Sequence, residues 1–189
     1  MEIDGQIIRD GFGDIFVSFS ILIKGGTILD DLRYSFGVRQ ALLRLKSSGT
    51  KHKLMIEQGH SALYLQELGD SIFSLCPSGW STWSPRIYES IYVASIPVLF
   101  ADGIKLPFET DIPYREFIVK INNDKVDQME DILMSFGQEK LTQMRKNMLN
   151  IRHHLEWNYP PKYNDAFYMT MRQLERKISK YKPIGYDQF

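Results

Sequence analysis

The sequence predicts an α/β fold, a Rossmann-like parallel sheet with helices on both faces, and three observations carry that reading. Short apolar runs of strand length, such as Ile72-Phe73-Ser74-Leu75-Cys76 and Ile96-Pro97-Val98-Leu99-Phe100, lack the polar alternation of a strand with one wet face. These runs alternate with longer segments of helical periodicity, the order expected of βαβ units. Turn residues follow the runs directly, Pro77-Ser78-Gly79 after the first and Asp102-Gly103 after the second, so loops open at the carboxyl ends of the strands.

The elements follow in chain order. Residues 1–14 are polar and carry no basic segment leading into an apolar core, so they do not form a signal peptide; they are expected to be poorly ordered. Residues 15–23 are apolar but too short to cross a bilayer, and read as a strand. Over 32–46, Leu32, Phe36, Ala41, Leu42, Leu43 and Leu45 recur among Arg33, Arg39, Arg44 and Lys46, which predicts a helix ending near Ser47-Ser48-Gly49. A strand over 53–56 and a helix over 61–68 come next. Beyond Phe100, residues 117–121 alternate as a further strand. Helices are then predicted over 126–136, closed by Gly137, over 140–157, stopped by Pro160-Pro161, and over 165–181 as a terminal helix. Its stripe of Phe167, Met171, Leu174 and Ile178 needs an apolar surface to cover it.

The stretch between the two apolar runs has the densest set of groups able to grip an anion. Ser84 stands as an N-cap candidate before Pro85, the residue best tolerated at a first helical position, and Arg86 then falls in the first turn. A cation there opposes the helix macrodipole and so asks for an anion. Free N–H groups of that turn, the Gly79 loop and the Arg86 guanidinium would together suit a diphosphate at the carboxyl end of a strand. Glu89 lies three residues on, on the same face as Arg86. The plainer reading of the two is a surface ion pair worth a few tenths of a kcal/mol, ~0.3.

With CPSG at 76–79, SPRxxE at 84–89 and IPVLFADGxxLPF at 96–108, the chain closely resembles the nucleotide-sugar-binding half of the exostosin-like glycosyltransferases. The resemblance extends to Tyr34-Ser35-Phe36-Gly37-Val38-Arg39-Gln40, to Gly59-His60-Ser61 with Tyr64 and Leu68, and to the landmarks Arg152-His153-His154 and Asp165-Ala166-Phe167, covering roughly residues 30–180. It departs at Ala94-Ser95, where the family usually has Gly-Cys, and over 16–25, where the family's FFxG strand is poorly matched. The resemblance implies that the chain is the C-terminal half of a GT-B fold, forming a single domain over 1–189. It also implies an inverting transfer of sugar from a UDP-sugar donor to a polysaccharide or glycoprotein acceptor, without a bound metal or other cofactor, in the Golgi lumen or membrane. Arg86 and Glu89 stand where the family meets the donor diphosphate and ribose; Ser78, Gly79 and Ser84 flank them. Arg39 is placed near the donor, although a solvated basic face also accounts for it. His60 has the position of a carbohydrate or phosphate contact, with a capping or packing histidine as the plainer reading. Asp102 is a weak local candidate for the base, which such enzymes often take from their other half. The family normally carries an N-terminal anchor and domain, so this chain is expected to be truncated.

Composition narrows the rest. Forty-three per cent hydrophobic and 24% charged residues over 189 positions are ordinary for one globular domain. Lysine plus arginine and aspartate plus glutamate both number 23, so no basic field exists to draw nucleic acid. The single cysteine, Cys76, allows no intrachain disulfide, and no Cys/His cluster has metal-ligand spacing. His153 and His154, being adjacent, are expected to point to different helix faces. No G-x-G-x-x-G follows a strand, which argues against a dinucleotide oxidoreductase. The expected partners are the sugar donor, a carbohydrate acceptor and either a second glycosyltransferase subunit or another copy; the rival to an active enzyme is a catalytically inactive binding or assembly module.

Overall fold

The computed structural model describes residues 2–3, 6–7, 16–20, 31, 33–49, 53–57 and 62–180; the segments 2–3, 6–7, 16–20 and 53–57 are described as backbone. Strands β1 (Glu2–Ile3) and β2 (Gln6–Ile7) pair antiparallel as a small separate ladder. Strands β3 (Phe16–Ser20), β4 (Lys53–Glu57), β5 (Phe73–Pro77), β6 (Ile96–Phe100) and β7 (Val119–Lys120) form one sheet in the order β4-β3-β5-β6-β7, every neighbouring pair parallel. The α/β class and the parallel sheet with helices around it are therefore as the sequence predicts. All residues of β5 and β6 are buried, which is why these two strands read as largely apolar runs, the one polar member, Ser74, being paired with Ser95. Pro97 sits within β6 without costing a ladder bond. The Ile96 N–H points toward β5, to Ile72 O, so the donor Pro97 lacks would point the other way, where β7 begins only opposite Val98.

From β3 the chain steps one way to β4 and then crosses back to β5, so the order reverses between β3 and β5. In a doubly wound sheet that reversal opens a crevice at the carboxyl ends of the two strands. Right-handed crossovers put the connecting helices on opposite faces: α1 (Val38–Ser48) on one, α2 (Tyr64–Gly69) and α3 (Arg86–Tyr92) on the other. Consistent with this, α1 contacts the 3-10 segment Asn123–Gln128, while α3 contacts both α2 and α5 (Gln138–Ile151). The core between the layers is built on Phe73, Leu75, Val98, Leu99, Phe100 and Phe117.

Several boundaries differ from the sequence expectation. The 32–46 helix starts only at Val38, because Ser35, Phe36 and Gly37 adopt left-handed φ of 59°, 53° and 77° and turn the chain first. The 126–136 helix is a 3-10 turn followed by the short α4 (Met129–Met134), and Gly137 is the extended N-cap of α5 rather than a helix stop. The 140–157 helix ends at Ile151 and continues as the 3-10 segment Arg152–Leu155. That tighter geometry brings the His153 and His154 rings together, centroids 3.9 Å apart, instead of onto different faces. Both landmarks have structural work: Arg152 donates to Tyr92 O at the C-terminal end of α3, and Asp165 caps α6 (Ala166–Ile178) by accepting from the N–H groups of Phe167 and Tyr168. Helix α6 buries Ala166 and Met169 and leaves Phe167, Met171, Leu174 and Ile178 exposed. No helix among the described residues is long and apolar enough to cross a membrane.

Candidate functional site

Arg39, the loop after β5 and Arg86 meet at the carboxyl edge of β5, beside the reversal of strand order. The left-handed run before α1 is what aims Arg39. Two non-glycine residues in that conformation cost about 1–2 kcal/mol each, and they are held by Ser35, which is fully buried. Its N–H donates to Gly79 O at 3.0 Å, and its hydroxyl accepts from Arg39 N at 3.1 Å. Arg39, 7% exposed, donates from Nε to Ser78 O at 3.1 Å and lies with its guanidinium 5.2 Å over the Tyr34 ring. Its Nη1 is buried with no hydrogen-bond partner. Burial pushes the guanidinium's pKa down; Tyr34 opposes this in part, and the charge of Arg86 lowers it further.

Arg86, 8% exposed, donates from Nη1 to Leu75 O at 3.4 Å and from Nε to the Tyr64 hydroxyl at 3.2 Å. That hydroxyl donates in turn to Glu89 Oε2 at 2.6 Å. Arg86 and Glu89 are thus joined through Tyr64 and do not form the surface ion pair of the plainer reading. Burial pushes the Tyr64 phenol up to about 12, so it stays a donor at neutral pH. Among the described residues neither Arg39 nor Arg86 has a carboxylate in contact with its guanidinium.

The remaining candidates fall around this pair. Ser78 is buried and donates its hydroxyl to Phe100 O at 2.9 Å, tying the ends of β5 and β6, while its carbonyl holds Arg39. Gly79 closes the loop by donating to Ser81 O at 3.0 Å; a Cβ there would meet Tyr34 atoms at 3.7 Å, ordinary contact, so space does not demand glycine. Helix α3 begins at Arg86, one residue later than Ser84 and Pro85 suggest, and no side chain caps it. The N–H groups of Ile87 and Tyr88 are taken by the carbonyls of Ser84 and Pro85, so the first turn offers fewer free donors than expected and the guanidiniums dominate. Asp102 is exposed on the turn after β6 and takes no part in the network. His60 lies outside the described residues. Cys76 is buried beneath α3, its thiol pushed up to about 12 by burial, and so is no nucleophile. No group of three or more His, Cys, Asp or Glu side chains among the described residues could hold a metal ion.

A cleft of about 450 Å³ opens beside the network, lined by Tyr64, Tyr88, Glu89, Tyr92, Arg152 and Glu156 with a few aliphatic side chains. Tyr34 and Tyr64 enter the sequence reading only as members of the resembling stretches, with no role in the site assigned to them. Each lies at the start of a segment flanking the site, and a tyrosine at such a place can set a guanidinium by its ring or its hydroxyl; neither was separable from core aromatics by spacing alone.

Against this geometry, comparison with known proteins is specific. The family model described as the Exostosin GT47 domain matches residues 25–136. A "Probable glucuronoxylan glucuronosyltransferase" of Arabidopsis thaliana is 31% identical over 149 residues, 78% of this chain and 33% of the relative. A "Probable glucuronosyltransferase" of Oryza sativa subsp. japonica is 30% identical over 167 residues, 87% of this chain and 38% of the relative. A "Probable beta-1,4-xylosyltransferase" of Arabidopsis thaliana is 33% identical over 131 residues, 68% of this chain and 32% of the relative. The chain spans about a third of the length of the curated relatives it matches. With its CPSG, SPRxxE and IPV segments forming one arginine-centred edge inside the matched region, the chain belongs to the exostosin family of GT47 domains.

Proposed function

We propose that this chain is the nucleotide-sugar-binding part of a glycosyltransferase, a single domain corresponding to the C-terminal half of a GT-B fold. The observation that carries the proposal is the pair of buried guanidiniums, Arg39 and Arg86, standing at the carboxyl edge of a doubly wound sheet with no carboxylate on either among the described residues. Buried positive charge left without a counter-charge is costly, and a diphosphate would supply that charge with bidentate acceptors. Glu89, held by Tyr64 at the rim of the cleft, is suited to accept from ribose hydroxyls.

The reaction would be an inverting transfer from a UDP-sugar to a carbohydrate acceptor. The relatives' names make a xylan-type polysaccharide the first acceptor to consider. As the bond to the anomeric carbon breaks, charge develops on the departing diphosphate, and Arg39 and Arg86 are placed to stabilise it without reorganisation. The base that accepts the acceptor's proton is expected from the part of the relatives' length not spanned by this chain. Relatives of plant cell-wall enzymes suggest the secretory pathway, with the Golgi as the expected compartment. The exposed stripe of α6 favours a further protein surface packed on it, supplied by a longer chain, a second glycosyltransferase subunit or another copy.

Calorimetric titration with UDP, ATP and NAD tests the proposal. UDP is expected to bind best, with a dissociation constant of about 1 mM, near −4 kcal/mol, since the ligand is enclosed from one side. Arg86→Ala is expected to abolish the binding and Glu89→Ala to weaken it less. Equal affinity for UDP and ATP would overturn the reading.

A further inference from the structure

Two tryptophans stand exposed on the loop between Gly79 and Arg86. Trp80 is 67% exposed and Trp83 53%, in a molecule that buries Phe73, Phe100 and Phe117 completely. Leaving a large ring in water forgoes about 2 kcal/mol of burial. Both rings are nevertheless held. Trp80 meets Tyr34 edge to face at 5.2 Å, and Tyr34 carries the Arg39 guanidinium over its own ring. Trp83 leans on Tyr88 at 6.3 Å, and its backbone N–H donates to Ser81 Oγ. The loop backbone is pinned by Gly79, bonded on one side to Ser35 and on the other to Ser81.

From these observations we infer that Trp80 and Trp83 form a stacking platform for the sugar rings of the acceptor glycan, at the edge of the donor site. The inference rests on the reading of that site as a nucleotide-sugar site. A pyranose presents a face of C–H bonds to an aromatic plane and hydroxyls around its rim, so it is recognised by fixed indoles interleaved with hydroxyl side chains. The segment Gly79-Trp80-Ser81-Thr82-Trp83-Ser84 has that make-up and contains no aliphatic residue. The broader contiguous apolar surface a protein partner needs lies elsewhere, on Met171, Leu174 and Ile178 of α6, while the residues between the two indoles carry hydroxyls. Position decides the role: the loop runs from the end of β5 directly into Arg86, so a chain lying on the indoles would end beside the diphosphate.

The probes are xylohexaose and cellohexaose, titrated into the full chain while the indole N–H resonances of Trp80, Trp83 and Trp157 are followed by NMR; UDP binding is measured separately by calorimetry. One oligosaccharide is expected to shift the Trp80 and Trp83 signals and spare Trp157. Trp80→Ala and Trp83→Ala are each expected to weaken it about tenfold, with Trp80→Phe keeping most of the affinity and UDP binding unchanged in Trp83→Ala. Absence of shifts at ~10 mM of either sugar, in a chain that binds UDP, would overturn the platform and leave the donor site standing. Undiminished sugar binding by both alanine variants would also overturn it, as would self-association that either alanine variant abolishes, since the rings would then belong to a protein interface. A chain that binds sugar through these rings but not UDP would sustain the platform and sink the donor-site reading.

Discussion

Replacing Arg39 by Met separates a ligand-gripping arginine from a structural one, because the two roles give opposite signs. In the unliganded protein Arg39→Met removes a buried Nη1 that has no partner, a relief of about 1–3 kcal/mol. It also lifts the repulsion from Arg86. Against this it loses the Nε bond to Ser78 O and the contact with the Tyr34 ring, about 1 kcal/mol each. The terms offset, and unfolding in urea is expected to give a free energy within about 1 kcal/mol of wild type, whereas breaking a structural buried ion pair costs about 3–5 kcal/mol. Ligand stabilisation should move the other way. At 10 mM UDP and a dissociation constant near 1 mM, binding adds ~1.4 kcal/mol, or about 3–5 °C in Tm for a chain of this size. The variant, binding at least ~10-fold more weakly, should gain no more than about 1.5 °C. A loss of more than ~3 kcal/mol without ligand, together with an undiminished UDP shift, would refute the argument.

Other expectations follow from the same network. Tyr64→Phe should weaken UDP about tenfold with little change in stability at neutral pH, read by calorimetry and melting. Because the folded phenol is raised to about 12 from an unfolded value near 10, its contribution is full below pH 10 and lost as pH rises through 12; Tyr64→Phe should lack that part of the alkaline loss. Ala94 sits at φ 60°, where a side chain costs about 1–2 kcal/mol; glycine returns about 0.4–1 kcal/mol of that to the unfolded chain, so Ala94→Gly should raise stability by about 0.5–1 kcal/mol, seen as a higher urea midpoint at constant slope. For Asp165, burial works to raise the carboxyl, but hydrogen bonds from Lys162, Tyr168, Phe167 and Asn158 outweigh it and hold the pKa below the ordinary value. Its stabilisation is present above about pH 4 and lost as pH falls through the depressed value, a loss Asp165→Asn should not show in acid titration. The exposed stripe of α6 should drive self-association in sedimentation; a monomer at ~100 µM would count against it.

How much of this the sequence disclosed depended on the range of the interaction. Strands β5 and β6 were legible because burial on both faces leaves an unmistakable apolar run, and Arg86 because a cation in a first helical turn breaks a local rule. The start of α1 was not legible. The left-handed residues at 35–37 are stabilised by the bond from Ser35 to Gly79, more than forty positions away, and periodicity carries no trace of that. Ser84 misled for a local reason: its cap role was inferred from Pro85, but the proline itself takes helical dihedrals and the N-cap place, and Ser84 contributes its carbonyl rather than its hydroxyl. The Tyr64 bridge needed the sheet to bring α2 beside α3, and the positive φ of Ala94, where the family usually has Gly, left no mark in periodicity.

The ladder from Trp80 through Tyr34 to Arg39, closed by the bond between Ser35 and Gly79, would make the two proposed sites share one set of moving parts. Whatever orders Trp80 also restricts Tyr34 and hence the guanidinium above it. A glycan on the indoles would therefore leave less freedom to be lost when a diphosphate arrives, and by reciprocity the diphosphate would tighten the glycan by the same factor. Such coupling would favour holding both substrates together over holding either alone, so that a donor meeting the protein without an acceptor would tend to depart with its sugar bond intact.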